Sequence, residues 1–505
     1  MTTIFTRSLR FALALMPALA ASPVLAEQTG TFRFAELVRL VSMDPQRLAG
    51  SGITFLRPVY ESLFELDDQG RPIPLLATGY SIDGLNVTLT LRDGVSFSNG
   101  EPFNADAVVA NINRGVGIGV SEGLLSIDHA EAIDPLTVLI VLKSPDPSII
   151  TGLSGASGMM IAPAAMDDPT LDRNPVGTGP FVYDASESRE GEVRVYTPNP
   201  TYWEPEQQHL ARYEVWEIPD DTARLNALRT GQIDAGLWLA SPQAAIIDRS
   251  PDLTLVRNTG GLNYHLVISD RAGTMVPAFA DVRVRQAIAY ALDREAFNQA
   301  ILFGLGVATY QPYTQGNWAY EPALADRFAF DLDHARALMA EAGYADGFTF
   351  DMPSIPIYQP RLEAIAGFLA EIGITMNIVP VEPGTLARRS RTTDFPATNL
   401  VWNTVNDPRY LAQRYVLEDG PYNPFHSVPS ESLARLASEG VQSAEPDVRA
   451  PIYRQMATEL ADEAFLIFVA GTPILFGVTN ATAANPSVHY RYGQDTIDMR
   501  GLRAN

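Results

Sequence analysis

Between Val59 and Arg114 the spacing of apolar positions changes from a strand period to a helix period. Val87, Leu89 and Leu91 alternate with Thr88 and Thr90, the pattern of a strand with one buried face, and Asp93-Gly94 ends it in a turn. Asn99-Gly100 predicts a hairpin. Asn104 then stands at a helix N-cap, where its side-chain carbonyl can take a free backbone N–H, and Val108, Val109 and Ile112 form the apolar stripe that follows. Leu136, Val138, Ile140 and Leu142, with Leu139 and Val141 between them, predict a strand buried on both faces, stopped by Pro145 and Pro147. Leu40, Val41 and Ser42 predict a first strand that turns at Asp44-Pro45.

Further along, Asp221 to Arg229 predicts a helix with Leu225 and Leu228 on one face and Gly231 as its stop. Phe279 to Arg294 predicts an amphipathic helix carrying Val284, Ile288 and Leu292 at four-residue steps, with Arg283 and Arg285 on its solvated face. Asp331 to Tyr344 is a capped helix ending at Gly343, and Leu362 to Glu371 followed by Gly373 to Ile378 reads as helix to strand, the alternation of a parallel α/β lobe. Ile452 to Phe468 predicts a helix running into a buried strand. The stretch Leu262-Asn263-Tyr264-His265 is the expected first crossing between lobes, and the tail after Gly471 the return.

Length and composition set the scale. A chain of 505 residues, 46% hydrophobic and 19% charged, predicts at least two lobes of a soluble α/β protein. Its 59 acidic and 36 basic side chains give a formal charge of -23, which disfavours nucleic acid or an anionic membrane as partner. Arg7 and Arg10, the apolar run Phe11 to Ala21 and the small-residue site Val24-Leu25-Ala26 predict a cleavable signal over residues 1–26, leaving a mature chain from Glu27. The absence of cysteine excludes disulfides, thiolate metal sites and a lipid-modified N-terminal cysteine, which favours a Gram-negative periplasm. Ala464 to Val478 is broken by Gly471, Thr472 and Pro473 and is too short to span a bilayer.

Motifs for chemistry are missing. The histidines at 129, 209, 265, 334, 426 and 489 are scattered with no HExxH, there is no GxSxG, and the glycines of Gly152 to Gly158 lack the Lys of a phosphate loop, so that stretch reads as a flexible loop beside a cleft. No catalytic residue, metal ligand set or cofactor is assigned.

Several motifs carry a resemblance. Pro74-Leu75-Leu76-Ala77-Thr78-Gly79-Tyr80, the run Leu91 to Asp106, Pro175-Val176-Gly177-Thr178-Gly179-Pro180-Phe181, Asn199 to Trp203, Gly231-Gln232-Ile233-Asp234 and the helix ending at Arg294 together resemble the extracytoplasmic solute-binding proteins, family 5, that serve peptide and nickel ABC importers. The resemblance implies a type II periplasmic binding fold of the large cluster. Residues 27–265 plus 471–505 would form lobe I, with an inserted subdomain over roughly 46–175, and 266–470 lobe II, joined by a two-strand hinge. It implies a monomeric binder, not an enzyme, that closes on a small solute and presents it to a membrane permease; a secreted hydrolase is the alternative of another class, and a sensor subunit a third.

In the family a tryptophan closes over the ligand at the place of Trp402, and peptide binders carry an aspartate three residues later; here that position is Val405, and Asp407 is the nearby carboxylate. The resemblance therefore implies ligand contacts at Trp402, Asn403, Asn406 and Asp407, with Tyr264, His265, Ile53 and Arg114 beyond them. A short peptide or peptide-like compound is the expected ligand. The shorter spacing from Trp402 to Asp407-Pro408 also looks like the nickel-complex branch, where His426 is the candidate metal contact, although Asn113 and Met159 stand where that branch tends to carry arginines.

Overall fold

Two strands, Leu253–Ile268 and Leu466–Thr479, are long enough to run through both halves of the molecule, and they pair antiparallel. The computed structural model describes residues 28–40, 42–47, 52–67, 70–119, 121–237, 239–315, 317–382, 385–403, 407–485, 487–488 and 497–504, and the side chains of all of these except 122, 258–261, 402 and 403. The signal segment, Val41, Asn406 and His489 lie outside the described residues.

The ladder between the long strands has two parts. Leu253 to Asn258 face Thr479 to Ile474, and Leu262 to Val267 face Thr472 to Leu466. Four steps along one strand, from 258 to 262, meet two along the other, from 474 to 472. Such an insertion bends a strand locally, and Gly260-Gly261 lie inside it.

The first part of the ladder packs on one apolar core and on a small cluster around Leu253 and Leu475, and the second part, from Tyr264 on, packs on another core. One gathers residues between Phe32 and Leu237 together with Ile474 to Leu502; the other gathers residues between Tyr264 and Ala470. The sheet that threads both has the spatial order 397–403, 253–268, 466–479, 235–236, 31–36, 212–217, 193–198 and 181–183. Thr31–Glu36 is parallel to both Arg212–Glu217 and Ala235–Gly236. A four-stranded antiparallel sheet on the first core has the order Ala77–Asp83, Asn86–Leu91, Thr137–Leu142 and Ile127–Asp134.

Local chemistry explains the elements that position the site. Val87, Leu89 and Leu91 are all buried, and Asn104 Oδ1 accepts the N–H of Ala107 at 3.0 Å to start the helix Ala105–Ile118. Asp331 does the same for His334 N–H at 2.9 Å at the head of Leu332–Glu341, and Gly343 follows that helix at φ 84°.

Four expectations are corrected. The first strand is Thr31–Glu36, because Phe32 and Phe34 alternate into the core there. Thr137–Leu142 has only alternate residues buried, so one face is covered and the other half-open. Gly152 to Gly158 runs from the end of the helical turn Ile149–Gly152 to the 3-10 turn Ala156–Gly158, with Gly152 packed against Gly123. Arg285 is buried and donates to the carbonyls of Phe279 at 2.7 Å and Glu463 at 2.8 Å, so it ties its helix to the core, while Arg283 is on the solvated side.

Candidate functional site

The sequence motifs bind one another within the first lobe. Gly179 N–H donates to Val59 O at 2.8 Å, and a Cβ at Gly177 would stand 2.2 Å from the same oxygen, so only glycine allows this approach. Glu61, buried one turn away, accepts hydrogen bonds from Tyr202 Oη at 2.8 Å and Trp203 Nε1 at 2.9 Å. Asp234 Oδ2 accepts the N–H of Arg33 at 2.8 Å, fastening the Gly231–Asp234 motif to the first strand. In the second lobe, Arg294 is fully enclosed and donates to the carbonyls of Thr309, Phe468, Ala289, Leu292 and Phe328. These motifs shape the scaffold through hydrogen bonds of their own.

The lobes touch through side chains just beyond the strand Ala397–Asn403. Arg409 Nη1 of the second lobe lies 2.8 Å from Asp146 Oδ1 of the first, with both side chains almost completely buried. The sequence reading missed both partners, since nothing local marks residues so far apart in the chain.

On the second lobe, Phe348–Ser354 and Ile374–Pro380 are parallel, and Asn399 Nδ2 donates to Pro353 O at 2.7 Å, so the strand leading to Trp402 lies beside their carboxyl ends. Ligands of open α/β sheets bind at such ends. Helix Gln359–Ala370 begins there with no side-chain cap, and Arg361 lies in its first turn. The Arg361 guanidinium lies 5.1 Å from the ring centre of Tyr264 and 5.4 Å from that of Tyr358. Among the described residues it forms neither hydrogen bond nor ion pair, so its N–H donors are unspent.

The expected contact residues fall into different places. Trp402 and Asn403 end the strand that pairs with Leu253–Ile268, their side chains and all of Asn406 being outside the described residues. Asp407 is not a free carboxylate. It takes Arg449 Nη1 at 2.7 Å and Nη2 at 2.5 Å, and also the N–H of Arg409 at 2.9 Å, so its charge is spent inside the second lobe. Tyr264 and His265 are core residues with no exposed surface. Burial lowers the His265 pKa to about 4, leaving the ring neutral. Ile53 is half-buried at the start of a short helix, against the first core. Arg114 is engaged by Asp44 at 2.7 Å and Gln46 at 2.5 Å, pinning the turn at residues 42–47. His426 turns Nδ1 to Glu418 O at 3.0 Å. Among the described residues no three His, Asp or Glu side chains gather as a metal site.

Two α/β lobes with separate cores, joined by continuous strands and in contact through Arg409 and Asp146, are the architecture of a two-lobed periplasmic binding protein. Solved structures share it: AgaA from A. tumefaciens R10 in complex with agropinic acid aligns with a TM-score of 0.78 over 94% of this chain and 99% of that one, at 23% identity. NikA from Brucella suis in complex with Fe(III)-EDTA aligns equally, at 0.78 over 94% and 98%, with 22% identity. The sequence profile of bacterial extracellular solute-binding proteins, family 5 middle region, matches residues 71–423, and the glutathione-binding protein GsiB of Salmonella typhi is 30% identical over 413 residues, covering 76% of this chain and 75% of its own. The chain belongs to bacterial extracellular solute-binding protein family 5, the solute-capturing components of ABC importers. Among the described residues no helix is long and apolar enough to cross a membrane.

Proposed function

We propose that this protein captures a short peptide-like solute bearing a free carboxylate, of glutathione's class, and hands it to an ABC permease. Arg361 carries the reading. A guanidinium held over two tyrosine rings with its donors unspent, at the carboxyl end of the parallel strands, is built to take a carboxylate in bidentate geometry. Asp407 is committed to Arg449, which takes away the partner expected for a peptide α-ammonium. Recognition therefore rests on the ligand's anionic end, with Trp402 as the aromatic cover, Asn403 and Asn406 as polar contacts, and Ile53 on the opposing lobe. The GsiB relative supports this class, because glutathione is a tripeptide-like molecule with two carboxylates.

The same reading takes lobe I as 27–265 plus 471–505 and lobe II as 266–470, a division in two that the separate cores support, with Tyr264 already packed in the second core. It makes residues 1–26 a cleaved signal and the mature chain a monomer in the periplasm. The test is thermal unfolding of residues 27–505 with reduced glutathione, its C-terminally amidated analogue, and nickel with histidine. Glutathione at about 100 times its dissociation constant adds about 2.7 kcal/mol, raising the midpoint, while the amide shifts it less. A shift with nickel and histidine alone overturns the proposal.

A further inference from the structure

From the contact between the lobes we infer that Asp146 and Arg409 form a latch, a pair that positions the two halves of the binding site and sets how far the protein closes. The inference concerns closure and stands whichever solute binds.

The Asp146 end is prepared in advance. Its carboxylate accepts hydrogen bonds from Ser126 Oγ at 2.5 Å, Ser148 N at 2.9 Å and Ser148 Oγ at 2.6 Å, all within the first lobe. When the lobes part, this buried acid keeps three donors and is not orphaned. The Arg409 end is prepared too. Its N–H is held by Asp407, and Asp407 is gripped by Arg449, whose Nε donates to Gly440 O at 2.8 Å and whose guanidinium lies 5.2 Å from the Trp318 and Tyr453 ring centres. Charges alternate across the boundary: Asp146, Arg409, Asp407, Arg449.

Where the lobes meet, both charges of the pair are withdrawn from water, the Arg409 and Asp146 side chains being 8% and 2% exposed. Removing one partner of such a pair is costly because it leaves the other charge buried. In this arrangement the cost falls on one state alone: opening lets Arg409 return to water. The latch is therefore a two-state element, and losing either charge biases the protein toward the open form. Arg409 lies two residues after Asp407, so closure also fixes where the end of the Trp402 strand stands against the first lobe.

The chain has no cysteine, so labels go only where cysteines are placed. Leu85→Cys, at an exposed hairpin tip in the first lobe, and Ser438→Cys, exposed on helix Glu431–Glu439 of the second, report the distance between lobes by single-molecule energy transfer without any ligand. Asp146→Asn keeps the shape of the serine pocket, and Arg409→Met keeps most of the side-chain volume; circular dichroism checks that each folds. Each is expected to lower the ratio of closed to open molecules about tenfold, and the double variant to fall no further than either single, the sign of one shared interaction. A distance distribution unchanged from the parent in either single variant, or losses that add in the double variant, overturns the latch. Glutathione affinity is not part of the readout, so a wrong ligand assignment leaves this result interpretable.

Discussion

Trp203 Nε1 donates to Glu61 Oε2 at 2.9 Å, joining two motifs 142 residues apart in the chain. Burial dominates the carboxyl's chemistry and lifts its pKa to about 7, against the opposing pull of Arg500, Trp203 and Tyr202. The folded pKa lies above the unfolded value of 4.5, so the stabilising contribution is full below 4.5 and is lost as pH rises through 7. Glu61→Gln should therefore gain on the parent by roughly 3 kcal/mol between pH 4.5 and pH 8. Urea unfolding at those two pH values checks this; a constant difference between variant and parent would rule it out.

His265 has the opposite sign. It is depressed from 6.5 to about 4 by burial, so its contribution is full above pH 6.5 and is lost as the pH falls toward 4. The His265→Leu variant should be less sensitive to acid than the parent over that window. Parallel acid-unfolding curves for the two proteins would contradict it.

Asp407→Asn separates a structural from a ligand role. Leaving Arg449 buried without its carboxylate should cost about 3 kcal/mol of stability, and Arg449→Met added to it should recover part of that loss. Glutathione affinity, measured by titration calorimetry on the folded fraction, should stay within about threefold of the parent. A selective loss of affinity with no loss of stability would return Asp407 to the ligand.

Arg361→Met should weaken glutathione binding by about 2 kcal/mol, since a charge-assisted bidentate contact is lost, with little change in unfolding midpoint because the guanidinium forms no other polar bond among the described residues. Equal affinity, in the parent protein, for glutathione and for an analogue amidated at both carboxylates would already exclude the contact.

Trp402→Ala should cost about 2 kcal/mol or more of binding and leave folding intact, the behaviour of an aromatic lid. Titration calorimetry reads the affinity and circular dichroism the fold, and the ligand-dependent part of the intrinsic fluorescence should vanish with the side chain. Undiminished affinity would place Trp402 outside the pocket.

What the sequence made legible was local or repeated. Asn104 and Asp331 cap helices because the cap bond closes within three residues, and the 87–91 alternation needs only its own pleat. Arg285 was misread since a helical wheel shows its neighbours and not the carbonyls of Phe279 and Glu463 that receive it. Asp407 and Arg409 lie two residues apart yet serve different partners, one within its lobe and one across the boundary. Nothing in the order of residues distinguishes them, because a partner's distance in space is set by the whole fold.

The two long strands have a consequence for how the chain is made. The second core is assembled from residues up to Ala470, but the first needs Ile474 to Leu502, which arrive last. A ribosome must therefore release nearly the whole polypeptide before the first lobe can seal.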